Sequence, residues 1–107
     1  MIFFNIEEVR EFLIKNGFVY TLRKPRNTGQ DIAVYGSYYK HKTFAKVFID
    51  FEGADPFTPE ALEYYIEKTG LYRGNKKEDS AKWLELEKKL SGEHIHLYKV
   101  SILELAK

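Results

Sequence analysis

Residues 18–51 read FVYTLRKPRNTGQDIAVYGSYYKHKTFAKVFIDF. Three β-branched and aromatic runs follow one another here with turn chemistry between them, and that succession decides the fold class. FVYTLRK alternates, with Phe18, Tyr20 and Leu22 on one face and Val19, Thr21 and Arg23 on the other. PRNTGQD is dense in turn residues. IAVYGSYY is a second strand, in which Gly36 marks a bulge or a close backbone approach. KHK is read as a polar turn, and TFAKVFIDF as a third strand with Ala45, Val47, Ile49 and Phe51 on one face. Strands this close in sequence pair as hairpins.

Helices are expected on both sides of this block. NIEEVREFLIKNG carries Ile6, Val9 and Leu13 at helical spacing, with Asn5 as cap, Glu8 completing a capping-box-like pair and Gly17 as stop. TPEALEYYIEKTG has Thr58 as cap, Pro59 at the first helical position and Gly70 as stop. SAKWLELEKKLSG is a third helix, capped by Asp79 or Ser80, with Trp83, Leu86 and Leu90 on one stripe. HIHLYKVSILEL returns as a closing strand. The predicted order is α-β-β-β-α-α-β in one domain spanning 1–107. The fold class is α+β, with a small mixed or barrel-like sheet flanked by helices.

The chain has 107 residues, 44% hydrophobic and 16% aromatic, enough for one core. It has no cysteine, which excludes disulfides, thiolate metal sites and a cysteine nucleophile. No apolar run approaches the roughly 18 residues a membrane helix needs, and MIFFNIEEVREF has no basic leader. A cytoplasmic protein without a membrane segment is expected.

Charge is segregated. Residues 15–46 carry seven cations against Asp31 alone, while the rest of the chain is net acidic. Arg23, Lys24 and Arg26 cluster at one strand–turn junction, and Lys40 and Lys42 at the next, with Lys46 beyond. Tyr20, Tyr35, Tyr38 and Tyr39 are interleaved. Cations neutralise phosphates and tyrosine rings stack unpaired bases, the mixture that single-stranded or looped RNA requires. The expected nucleic-acid-binding residues are Tyr20, Thr21, Arg23, Lys24, Arg26, Tyr39, Lys40, Lys42 and Lys46. In the competing reading these are rim packing and solubility charge. His94 and His96 share a strand face, but spacing supplies no third ligand, so no metal or other cofactor is expected. Asp50, Glu52 and Asp55 read as a polar strand exit. No phosphate-cradling glycine loop, nucleophile elbow or zinc motif is present.

The order of elements, with FLIKNG closing the first helix, YTLR ending the first strand, KVFIDFEG in the middle and a tryptophan-bearing helix before HLYKVSIL, resembles the ASCH family of the PUA-like superfold. The resemblance spans most of the chain through short motifs. It implies a small β-barrel with a cleft between barrel and helices, and binding of RNA or a modified nucleoside. Some members of the family are amidohydrolases of acetylated cytidine, with a Lys-x-x-Thr motif and a separate Glu. Thr21 matches that threonine, but Phe18 stands where the lysine belongs. The resemblance therefore points to an RNA- or nucleotide-binding domain rather than an enzyme. The alternatives are a small hydrolase of a modified nucleoside or amide, using Thr21 with Glu52 or Lys24, and a protein-interaction module.

Overall fold

In a computed structural model, which describes residues 1–106, the three consecutive strands belong to one five-stranded mixed sheet, but only the second and third pair as a hairpin; the first lies at the far edge, paired with the C-terminal strand instead. The elements are β1 (Ile2–Phe3), α1 (Glu7–Asn16), β2 (Phe18–Arg23), β3 (Gly29–Gly36), β4 (His41–Ala54), α2 (Pro59–Leu62), a 3-10 turn (Ile66–Lys68), α3 (Lys76–Ser91) and β5 (His96–Leu105). The sheet order is β1-β3-β4-β5-β2. β3–β4, β4–β5 and β5–β2 pair antiparallel, and β1 pairs parallel with β3. Register shifts at Ala33/Val34, Lys46/Val47 and Phe51/Gly53 add local bends. The sheet curls into a half-barrel, and with the helices packed on it makes an α+β architecture.

Two apolar clusters hold the helices to the sheet. One packs Val9 and Leu13 of α1 against Val19, Val47, Ile49, Tyr98 and Val100. The other packs Leu62, Ile66, Trp83 and Leu84 against Leu22, Ile95 and Leu97. Leu71 touches both, so the link between the 3-10 turn and α3 sits where the clusters meet. Burying each large side chain is worth about 1.5–3 kcal/mol, and this burial supplies most of the stability of the short helices.

Several boundaries differ from the sequence reading. β1 was not expected, because two residues carry no periodicity. Asn5 does not cap α1: Ile6 occupies the cap position with no side-chain hydrogen bond. The Asn5 amide instead bonds both main-chain groups of Gly36, at 2.9 and 2.8 Å. The helix expected over TPEALEYYIEKTG is one turn followed by tighter i→i+3 winding, Tyr65 N–H to Leu62 O and Lys68 N–H to Tyr65 O. That winding buries Leu62, Ile66 and Thr69 together. Thr58 does cap α2, accepting from the Ala61 N–H. α3 begins at Lys76 with Asn75 as its cap, not Asp79 or Ser80. Asp79 instead accepts from the main-chain N–H groups of Arg73 and Asn75, which lower its carboxyl below the usual value, and so shapes the loop before the helix. The turn between β3 and β4 is Ser37–Lys40, closed by reciprocal Ser37–Lys40 main-chain bonds, and KHK contributes His41 and Lys42 to β4.

Candidate functional site

β2 is covered on both sides, so its alternation is only partly kept: Val19, Thr21 and Leu22 are all buried. Leu22 joins the cluster under α2 and α3. Thr21 and Arg23 line a cavity of about 280 Å³. Its walls are the N-terminal segment (Phe3, Phe4, Asn5, Ile6), β2 (Tyr20, Thr21, Arg23), Thr69 and Leu71, and α3 (Trp83, Leu86, Glu87, Leu90, Ser91).

Arg23 is the centre of its polar side. Its Nε donates to Thr21 Oγ1 at 2.9 Å and its Nη1 to the Phe3 carbonyl at 2.6 Å. The guanidinium carbon lies 4.8 Å from the centroid of the Phe4 ring, a cation–π contact. Burial lowers the guanidinium to about 10, with the Glu87 charge opposing and Arg26 adding to the effect, so it remains protonated at neutral pH. The Phe3 carbonyl belongs to β1 and Arg23 to β2, the two edge strands of the sheet. One guanidinium therefore bridges the open side of the half-barrel and lines the cavity.

Across the cavity, Glu87 is buried on α3. Burial raises its carboxyl above the usual value, while the Ser91 hydroxyl, donating to Oε1 at 2.5 Å, and the Arg23 charge pull it back. Arg23 and Glu87 line one space without forming a direct ion pair. A ligand in this space meets a cationic donor and a carboxyl acceptor. Thr21 accepts from Arg23 through its oxygen, which leaves its own proton free to donate.

The residues expected from sequence fall into separate places. Tyr20, Thr21 and Arg23 line the cavity. Lys24 is exposed on the turn. Arg26 is turned to structure: its Nη2 donates to the Met1 carbonyl and Asp31 Oδ2, each at 3.0 Å, and its main-chain N–H to the Tyr98 hydroxyl at 2.8 Å. Tyr39, Lys40 and Lys42 are exposed at the β3–β4 hairpin, outside the cavity. Lys46 stands 3.8 Å from Glu104 on β5. The single continuous basic face expected from clustering in sequence is not assembled.

Glu52, the expected partner of Thr21 in catalysis, lines a different groove with Phe57, Tyr64 and Tyr65, and among the described residues no lysine lines the Thr21 cavity. Phe18 packs on Phe12 and Tyr20 and is not part of the cavity wall. His94 approaches Asp55 at 3.4 Å while His96 approaches the Tyr98 hydroxyl at 3.2 Å, so the two histidines have separate partners. Among the described residues no three His, Cys, Asp or Glu side chains group closely enough to hold a metal ion, and no helix is long and apolar enough to cross a membrane.

Glu87 and Ser91 line the cavity but are not among the residues expected from sequence. The signal was present: Ser80, Trp83, Glu87 and Ser91 follow the helical spacing of the buried stripe, and a carboxylate on such a stripe marks a buried charge. Trp83, on the same helical stripe, is buried in the core and also lines the cavity. Compared with family models, characterised proteins and solved structures, the chain has no significant match.

Proposed function

We propose that the chain is a PUA-like domain of the ASCH type that binds RNA or a nucleotide-like ligand, with one nucleoside unit held in the cavity between β2 and α3. The observation that carries this reading is the placement of Arg23 and Glu87 on the wall of one cavity without a direct pair, with the Thr21 hydroxyl beside them. A nucleobase edge presents acceptors and donors side by side, and a planar heterocycle suits a cavity that also offers Tyr20, Phe4 and Trp83. The volume accommodates a single base or nucleoside, not a folded helix. The curled half-barrel sheet with helices packed on it is compatible with the small β-barrel that the family resemblance implies.

Trp83 is the chain's single tryptophan and lines the cavity, so its fluorescence reports directly on occupancy. Titration with the common nucleoside monophosphates, and with cytidine and its N4-acetyl form, is expected to give a saturable change for at least one of them. Glu87→Ala, which removes the acceptor, is expected to weaken that ligand about tenfold or more. No saturable response from any of these compounds, with the fold intact by circular dichroism, would refute the reading.

One observation favours hydrolysis as a second reading: Glu87, with its raised carboxyl, lines the same cavity as the Thr21 hydroxyl and could serve as a general base. Among the described residues no lysine stands on the cavity wall, which weighs against it. Acetate release from acetylated cytidine that is lost in Thr21→Val would establish the hydrolase; binding without turnover establishes the binding domain.

A further inference from the structure

The β3–β4 hairpin carries a surface that the cavity does not use. Tyr38 and Tyr39 are 68% and 95% exposed at its tip, with their rings edge to face at 5.2 Å. Neither contributes to the two apolar clusters. Lys40 and Lys42 flank them, exposed, and neither is paired with a carboxylate among the described residues. Two adjacent aromatic rings left in water beside two unneutralised cations form a surface suited to something flat and anionic.

The base of this hairpin is fixed beside the cavity. Gly36, at φ +119°, has both main-chain groups bonded to the Asn5 amide, and a Cβ there would sit 2.6 Å from the Lys40 carbonyl. His41 packs edge-on against Phe3 at 5.8 Å. Asn5 and Phe3 both line the cavity, so the cavity wall and the hairpin base are in direct contact.

We infer that the ligand is a single-stranded RNA rather than a free nucleotide. One nucleoside enters the cavity while a neighbouring base stacks on Tyr38 or Tyr39 and the adjoining phosphates meet Lys40 and Lys42. This rests on the nucleoside reading of the cavity. Stacking on exposed rings tolerates any base and lysines track the backbone, so the hairpin supplies affinity for the strand and the cavity supplies discrimination.

The test measures a fluorescein-labelled single-stranded RNA of about ten nucleotides by anisotropy, beside mononucleotides by Trp83 fluorescence. The oligonucleotide is expected to bind more tightly than any mononucleotide. Tyr38→Ala with Tyr39→Ala is expected to weaken the oligonucleotide about ten- to a hundredfold and leave mononucleotide binding unchanged. Lys40→Ala with Lys42→Ala is expected to reduce the slope of log affinity against log salt by roughly 1.4. An oligonucleotide that binds the tyrosine double variant as it binds the wild type overturns the inference. So does an oligonucleotide no tighter than a mononucleotide, a result that leaves the nucleoside reading standing. Failure of both ligands overturns the inference and the reading together.

Discussion

At Arg23 one guanidinium serves three partners: it donates to Thr21, donates to the carbonyl of Phe3 and stands over the Phe4 ring. Three residues on, Arg26 makes comparable contacts with Met1 and Asp31. Lys24 between them is exposed and, among the described residues, forms no ion pair. Three cations that are near neighbours in sequence thus divide into a cavity residue, a surface charge and a structural clasp. Arginine suits the two inward positions because its planar fork donates to several acceptors at once. Glu87 makes the pH dependence specific. Burial raises its carboxyl above the unfolded value of 4.5, so the folded state binds more protons there. Stability contributed by this group is therefore greatest below 4.5 and is lost as pH rises through the raised folded value. Glu87→Gln, which carries no titrating carboxyl, is expected to flatten that decline. Urea denaturation of both proteins from below 4.5 to neutrality measures it, and parallel pH profiles would contradict the assignment.

Among the elements, the 3-10 turn after α2 depends on a close approach that only glycine permits. Gly70 sits at φ +83°, and a Cβ there would lie 2.5 Å from the Glu8 carbonyl and 2.8 Å from Val9 Cα of α1. Both atoms are backbone, so relief requires moving α1 or the turn. Gly70→Ala is expected to cost about 2 kcal/mol or more, seen as a fall in Tm of several degrees. Gly53 is the control: its backbone is not in the left-handed region, and a Cβ there meets the Phe57 ring at an ordinary 3.8 Å. Gly53→Ala is expected to change stability by less than about 0.5 kcal/mol. Equal effects at the two sites would remove the close-approach explanation. In sequence Gly70 was legible as a helix stop. Its second role was not, because nothing in TPEALEYYIEKTG indicates that α1 passes against it.

For the whole molecule, β5 is the organising strand. It lies between β4 and β2 and is the strand to which β2 is hydrogen-bonded. A chain ending at residue 95 leaves β2, with Thr21 and Arg23, without a sheet partner, and removes Leu97, Tyr98 and Val100 from the two clusters. Such a truncation is expected to abolish cooperative thermal unfolding by circular dichroism; a truncated chain that melts cooperatively would show that β2 is held by its helices instead. The strands, the helices around them and their α+β class were readable from 18–51 and its flanks, because hydrophobic period, turn residues and caps are local properties. Thr21 and Arg23 were readable as a pair on one strand face for the same reason. The parallel pairing of β1, the insertion of β5 between β4 and β2, the bond from Arg23 to Phe3 and the placing of Arg23 and Glu87 on one cavity wall belong to the tertiary structure alone. These join residues far apart in the chain, and no spacing rule reaches across such separations. Packing decided which of the expected cations face a cavity, which serve as clasps and which remain in water.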